Sequence, residues 1–292
     1  MSTQSAPMEA AIQSDEATPR TSRLAAMIAT RLKILCAQLA ILGTILGAWQ
    51  ILTGIEWFRT NTFMDPFFIS RPTLIAQKLY DWTFGSQAGF LWPHLASTIG
   101  ATLLGLVIAV ITGFLAGLAL SQNRILASVF NPFIVALNSL PRIAMVPLIT
   151  MIFGLGLSSK VVTAWFIVFF LIFFNAFKGG RNIEQHLINF CRTLGGSSRQ
   201  IMFTVRIPNS LAWTFAALPN AVSFSLIGVV ISEFVGSTTG MGYLIVTSLA
   251  TMNSADMFAT ITVLGAVGLV LVSAISLVEQ RILHWSPEFR AN

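Results

Sequence analysis

Six apolar stretches are long enough to cross a membrane as helices, at about 34–52, 96–120, 140–157, 161–177, 211–235 and 258–278. A spanning helix needs about 20 predominantly apolar residues. The chain is 55% hydrophobic and 10% charged, whereas soluble domains average about 25% charged residues. A single soluble core could not bury this much apolar surface. The sequence therefore predicts an all-α integral membrane protein with about six transmembrane helices.

The third of these stretches is interrupted by proline and asparagine. The apolar sequence continues from residue 125 to residue 157, but Pro132, Pro141 and Pro147 divide it. Proline removes a backbone donor and disfavours a continuous helix. We expect an interfacial helix up to about Leu137 and a transmembrane helix over 140–157.

The positions of the basic residues predict the orientation in the membrane. With the N-terminus inside, 12 of the 17 Lys and Arg residues lie in the cytoplasm, and Arg59, Arg71, Lys78 and Lys160 lie outside. Cytoplasmic loops are enriched in such residues, so we expect both termini inside. The same bias explains the net charge of +6 without a nucleic-acid partner. Residues 1–22 are polar and predict a disordered cytoplasmic tail before the membrane domain, 23–292.

The sequence contains no motif for catalysis or metal binding. The histidines at 94, 186 and 284 are spread over different loops, whereas a metal site needs them clustered. Cys36 and Cys191, the only cysteines, lie in an apolar stretch and a basic loop, which argues against a disulfide. No phosphate-binding Gly-x-x-x-x-Gly-Lys-Ser/Thr motif occurs. We therefore expect no cofactor in this chain, and any ATP hydrolysis requires another polypeptide.

The polar loop 178–210 predicts two short helices joined by a turn. Residues 183–194 have the apolar spacing of an amphipathic helix. Gly195 and Gly196 follow, and glycine tolerates the positive φ that commonly ends a helix. A polar loop of this length is suited to docking a soluble protein.

The second helix of this loop has a start signal and a stop signal. Ser197 or Ser198 can cap its N-terminus, and we expect the helix to run to Val205. Pro208 then disfavours a smooth continuation into the fifth transmembrane helix. The pattern predicts a compact helix-turn-helix at the membrane surface.

This loop resembles the signature of the inner-membrane components of binding-protein-dependent transporters, the permeases of ABC importers. That signature is Glu-Ala-Ala, then Gly after three residues, then Ile-x-Leu-Pro after nine more. Gly195, Val205, Ile207 and Pro208 occupy the last four named places at the correct spacing. Asn189-Phe190-Cys191 replaces Glu-Ala-Ala, so the carboxylate that the family would offer its ATPase is missing.

Further segments are similar to the nitrate, sulfonate, taurine and bicarbonate subgroup of this family. They occur in the family's order within about 67–287, as Leu91-Trp92-Pro93-His94-Leu95, Asn138-Ser139-Leu140-Pro141-Arg142, Phe153-Gly154-Leu155-Gly156, Ser232-Glu233-Phe234-Val235-Gly236 and Gly240-Met241-Gly242-Tyr243. Each segment is weak alone, and the ordered set is specific.

The resemblance implies a type I importer permease in the bacterial inner membrane, with loop 178–210 as its coupling loop. The implied partners are ATP-binding cassette subunits carrying ATP and Mg²⁺, a periplasmic solute-binding protein and a second permease copy. The implied substrate is a small anionic or organic nutrient such as nitrate, a sulfonate or taurine. The implied ATPase interface comprises Asn189, Arg192, Thr193, Leu194, Gly195, Gly196, Ser197, Arg199 and Pro208.

Five polar residues in or beside the predicted helices are candidates for a translocation path: Asn138, Arg142, Asn220, Ser225 and Glu233. Intramembrane charges are costly and often functional. Each candidate also has a structural alternative. Glu233 could bond neighbouring backbone near the outer end of its helix, and Arg142 could extend to the head groups. Ser and Asn side chains also make ordinary bonds between helices.

Gly113 and Gly117 form a small-xxx-small pair in the second predicted span. That spacing allows two helices to approach closely. We expect them to pack within the subunit rather than to mediate dimerisation.

A secondary transporter or channel is the alternative function, and a membrane-embedded enzyme is a third. A secondary transporter would typically have internal repeats and charged or broken helices near mid-membrane. An enzyme would need a nucleophile and a base, or metal ligands, at matching depth. The predicted spans contain few mid-depth charges and no internal repeat, and a secondary transporter or channel would leave the coupling loop unexplained. No set of residues suited to an enzyme occurs in the sequence.

Overall fold

The structure is a computed structural model that describes residues 20–62 and 65–282, and in that part every regular element is a helix. The first four helices are α1 (Arg20–Leu52), α2 (Glu56–Asn61), α3 (Pro66–Ile69) and α4 (Pro72–Thr83). They are followed by α5 (Leu91–Ser121), α6 (Arg124–Ser139), a 3₁₀ helix (Arg142–Met145), α7 (Val146–Phe153) and α8 (Leu157–Arg181). The remainder are α9 (Gln185–Thr193), α10 (Ser198–Ile201), a π-helix (Met202–Arg206), α11 (Ile207–Ala216), α12 (Leu218–Val235), α13 (Met241–Ala250) and α14 (Ser254–Ile282).

The predicted all-α membrane fold is confirmed. Five helices of the described part are long and apolar enough to cross a membrane, within α1, α5, α8, α12 and α14. A sixth crossing results if the bent pair Ile125–Ser139 and Arg142–Phe153 is counted as one. Most of the predicted tail, residues 1–19, lies outside the described residues, as do His284 and Arg290.

The structure has a helix break at residues 140–141, where the sequence places the boundary between an interfacial helix and the third span, but the helix of that span, predicted over 140–157, ends at Phe153. The chain is extended at Leu140 and Pro141, with ψ values of 136° and 96°, and the helices on either side meet at 80°. Pro141 has no N–H and biases the residue before it towards extended backbone. The helical residues 142–153 rise only about 18 Å, against a hydrocarbon core of about 30 Å.

The fifth predicted span, 211–235, consists of two helices rather than one. α11 ends at Ala216 and α12 begins at Leu218, with Pro219 in its first turn. Proline lacks the N–H of an interior helical residue and its ring conflicts with the carbonyl four residues earlier. The interruption at Ala217 therefore lies two residues before Pro219.

The chain divides into two compact units, Met1–Thr73 and Leu74–Asn292. In the first unit, the Arg71 guanidinium donates to the Thr53 carbonyl over 2.8 Å. The Gln50 side chain accepts from the backbone N–H of Thr73 over 3.3 Å. These bonds join the segment after α3 to the end of α1.

In the second unit, α8 packs along α5, α11 and α12. Their shared core consists of Leu106, Ala109, Val168, Ile172, Ala217, Leu218, Ala221 and Val222. The approach of α5 to α8 requires glycine. A Cβ on Gly113 would lie 2.9 Å from the Phe169 carbonyl oxygen, and one on Gly117 would lie 2.9 Å from the Ala176 Cβ. The predicted packing of these two glycines within the subunit is confirmed.

Candidate functional site

The first helix of the coupling loop ends in a glycine turn. α9 covers Gln185–Thr193, and Gly195 has a φ of +81°. The Gly195 N–H donates to the Arg192 carbonyl and the Gly196 N–H donates to the Cys191 carbonyl, each over 2.9 Å. These are the two bonds of a Schellman motif, which satisfies carbonyls at the end of a helix. The turn predicted at these glycines is confirmed, including its positive φ.

The second helix of the coupling loop begins as predicted and continues differently. Ser197 and Gln200 form a reciprocal capping box, in which each side chain accepts from the other residue's backbone N–H, over 3.3 Å and 2.8 Å. The expected end at Val205 and break at Pro208 are wrong. α10 ends at Ile201 and passes through the π-helix directly into α11.

The π-helix explains how Pro208 is accommodated. The Ile207 N–H bonds to the Met202 carbonyl, five residues earlier. The i to i−5 hydrogen bond of the π-helix shifts the carbonyl groups that would otherwise meet the Pro208 ring. Proline has no N–H, so it leaves no backbone donor without an acceptor. The coupling loop is therefore joined to α11 by continuous helical backbone.

The coupling loop presents an apolar concave surface beside its glycine turn. A cavity of about 290 Å³ is lined by Cys191, Leu194, Gly195, Gly196, Gln200, Ile201, Thr204 and Val205. Leu194 is 72% exposed and Phe190 is 60% exposed. Exposed apolar patches of this kind are typical of protein interfaces. Of the predicted ATPase-interface residues, Gly196 and Pro208 are half-buried and the other seven are exposed.

A buried ion pair lies towards the other end of α8. Lys160 Nζ is 3.0 Å from Glu233 Oε1, and the two side chains are 2% and 0% exposed. Lys160 also donates to Ser97 Oγ over 2.9 Å and to the Thr239 carbonyl over 2.6 Å. Lys160 lies in the first turn of α8, and α9 of the coupling loop follows the last turn of α8, so about 30 Å of helix separates the ion pair from α9.

The Glu233 carboxylate is fully provided with donors. Thr98 Oγ1 donates to it at 2.9 and 3.1 Å, and the Gly242 N–H donates over 2.7 Å. Thr98 in turn accepts from the Met241 N–H over 2.8 Å. We call Ser97, Thr98, Lys160, Glu233 and the backbone of 239–242 the ion-pair cluster. It joins α5, α8, α12 and the start of α13.

Lys160 is not among the site residues predicted from the sequence, where it appears only as one of the basic residues expected outside. A signal for it existed. Glu233 is the only acidic residue within a predicted span, and an intramembrane carboxylate needs a partner. Lys160 directly precedes the fourth predicted span at the same expected membrane level.

The five path candidates have different environments. Ser225 is buried and its hydroxyl donates to the Thr102 carbonyl over 2.7 Å. Arg142 donates to the Asn138 side chain, and its guanidinium lies 5.5 Å from the centre of the Phe170 ring. Asn138 and Asn220 are exposed. Among these five described side chains, the recorded contacts join only Asn138 and Arg142, so a shared path stays a prediction.

The described residues include no group of three or more His, Cys, Asp or Glu that could hold a metal ion. The His94 ring instead accepts a hydrogen bond from the Gly240 N–H over 3.1 Å and stacks on Tyr243 at 5.9 Å. Cys36 and Cys191 are free.

Comparison with known proteins identifies the family. Residues 107–284 match the model of the binding-protein-dependent transport system inner membrane component. The chain is 31% identical over 248 residues to a probable ABC transporter permease protein of Haemophilus influenzae, covering 85% of this chain and 96% of that protein. It is 24% identical to the taurine transport system permease protein TauC of Escherichia coli, covering 83% and 90%. It is 29% identical to the riboflavin transport system permease protein RibX of Chloroflexus aurantiacus, covering 75% and 81%. The chain therefore belongs to the binding-protein-dependent transport system inner membrane components, as a permease subunit of an ABC transporter.

Proposed function

We propose that two copies of this permease form the translocation path of an importer, with ATP-binding cassette subunits docked on the coupling loop. ATP and Mg²⁺ bind those subunits and not this chain. A periplasmic solute-binding protein delivers substrate at the end that carries the ion-pair cluster. The observation that carries the proposal is the exposed helix-turn-helix of the coupling loop. Its concave face forms a cavity of about 290 Å³, and its second helix continues through the π-helix into α11. Movement of a docked subunit would reach the membrane helices through that connection.

The proposed substrate is a small anionic or organic nutrient. The relatives' names support this range, since they include taurine and riboflavin. The path candidates Asn138, Arg142 and Asn220 offer amide and guanidinium groups on exposed or half-buried surface. Such groups bind carboxylates, sulfonates and neutral polar ligands.

Gly195→Val is expected to insert normally and to lose uptake and ATPase association. A β-branched residue at a φ of +81° is strained by about 1–3 kcal/mol, which would displace the turn at the docking face. The helices stay inserted because their apolar surfaces still face lipid. Membrane level, co-purifying ATPase subunit and substrate uptake measure the effect.

Gly195→Asn is the matched control, because asparagine tolerates positive φ and no atom lies within 4 Å of a Cβ built at this position. It should retain most of the association and uptake. Full activity in the valine variant would remove the coupling loop from the proposed mechanism.

Both termini and the coupling loop are proposed to face the cytoplasm, from the 12-to-4 distribution of basic residues. A cysteine at the exposed Ser198 should resist membrane-impermeant maleimide in intact cells and react after permeabilisation. The Cys36→Ser, Cys191→Ser background removes the native thiols. Labelling of Ser198→Cys in intact cells would show that the coupling loop faces the outside and would contradict the proposed topology.

ATP hydrolysis is expected only from the assembled complex. The purified permease alone should show none, because its sequence contains no phosphate-binding loop. Reconstituted with its ATPase subunits, it should hydrolyse ATP faster when the binding protein is loaded. Taurine, an alkanesulfonate and riboflavin are the first ligands to compare. Hydrolysis by the contaminant-free permease alone would contradict the assignment of ATP to a partner.

A further inference from the structure

A second cavity, of about 230 Å³, lies between the coupling loop and the end of α5. Its polar lining consists of Gln122, Arg192, Ser198 and Arg206, and three apolar side chains complete it. None of these described lining residues is acidic. The cavity is therefore positively charged, and it is several times larger than the roughly 30 Å³ that a water molecule occupies in the liquid.

The position of this cavity is at the surface of the hydrocarbon core. Gln122 directly follows Ser121, the last residue of the apolar helix α5. Arg206 directly precedes Ile207, the first residue of α11. Lipid head groups and their phosphates occupy this level of a bilayer.

Within the described part of the chain, the two arginines of this cavity, Arg192 and Arg206, have no carboxylate counter-charge. Arg206 is also half-buried. Guanidinium groups bind phosphate oxygens through paired, charge-assisted hydrogen bonds. The serine hydroxyl and the glutamine amide add neutral donors.

We propose that this cavity binds the phosphate of an anionic phospholipid in the leaflet on the coupling-loop side. The apolar part of the lining favours a lipid over an acidic side chain of a partner protein. Met202, the half-buried apolar residue of this lining, would contact the glycerol and the first methylenes of the lipid. The lipid would then join the coupling loop to the end of α5.

The test is native mass spectrometry of the purified permease, released from mixed micelles that contain phosphatidylglycerol and phosphatidylethanolamine. Wild type should retain phosphatidylglycerol selectively. Each Arg→Gln change at 192 and 206 should weaken retention about fivefold, since one basic group near an anionic surface contributes about that factor. Arg181→Gln is the matched control, because Arg181 is exposed at the end of α8 and does not line the cavity. The double Arg→Lys variant should keep most of the selectivity.

Equal phosphatidylglycerol retention in wild type and the double Arg→Gln variant would overturn the proposal. So would a double variant that keeps the lipid and loses its ATPase subunit, because the arginines would then serve a protein partner. Tight binding of inorganic phosphate in nanodiscs of phosphatidylcholine alone would reassign the cavity to a free anion. If the double Gln variant fails to fold, the fivefold loss expected of Arg206→Gln alone decides the question.

Discussion

Lys160→Met is expected to destabilise the purified permease by about 3–5 kcal/mol, because removal of one partner leaves a buried charge uncompensated. Glu233 is 0% exposed, so bulk solvent cannot take the place of the ammonium 3.0 Å away. The loss should appear as a lower unfolding temperature in detergent and a lower level in the membrane.

Two further variants separate the ion pair from general damage at this position. Lys160→Met with Glu233→Gln should recover most of the loss, since glutamine still accepts from the Gly242 N–H and carries no charge. Lys78→Met is the matched control. Its pair with Asp256 spans 3.1 Å, but the side chains are 26% and 24% exposed, and such pairs contribute about 0–1 kcal/mol. A Lys160→Met loss no larger than that of Lys78→Met would contradict the expectation.

Gly117→Ala is expected to destabilise the protein by about 1–3 kcal/mol through overpacking, and Gly117→Leu by more. The added Cβ would lie 2.9 Å from the Ala176 Cβ and 3.0 Å from the Phe177 backbone nitrogen. Backbone cannot move aside as a flexible side chain does, so α5 and α8 would have to separate. Thermal unfolding in detergent measures the effect.

Gly100→Ala on the same helix is the control. No atom outside its own turn lies within 4 Å of a Cβ built there. Alanine should therefore be neutral, or stabilise by about 0.5–1 kcal/mol through its greater helix propensity. Equal responses at Gly100 and Gly117 would show that the close approach of α5 to α8 contributes little.

The sequence predicts the membrane helices well because hydrocarbon selects long apolar segments whatever their neighbours. The glycine turn is predictable for a similar local reason, since a positive φ at Gly195 depends on backbone sterics alone. The bend at Leu140 and Pro141 is less predictable from the sequence. Proline indicates an interruption, but the 80° angle depends on the packing of the helices on either side.

The ion-pair cluster depends on long-range geometry. Lys160 and Glu233 are 73 residues apart in sequence, and only the packing of α8 against α12 brings them together. The glycines of α5 are intermediate. Gly113 and Gly117 form a recognisable pair, whereas Gly105, whose Cβ would lie 3.0 Å from the Val161 carbonyl, lies two further turns away. The sequence predicts a break at Pro208, because local rules do not anticipate a π-helix that accommodates proline.

The 73-residue separation of the ion pair also bears on biosynthesis. At synthesis rates of about 5–20 residues per second, Glu233 emerges about 4–15 s after Lys160. Until then Lys160 has no carboxylate, and its long side chain can keep the ammonium at the head groups while α8 is already in lipid. The lysine enters the protein interior only after α12 arrives. Closure of the bundle at this end therefore follows the synthesis of α12 as far as Glu233.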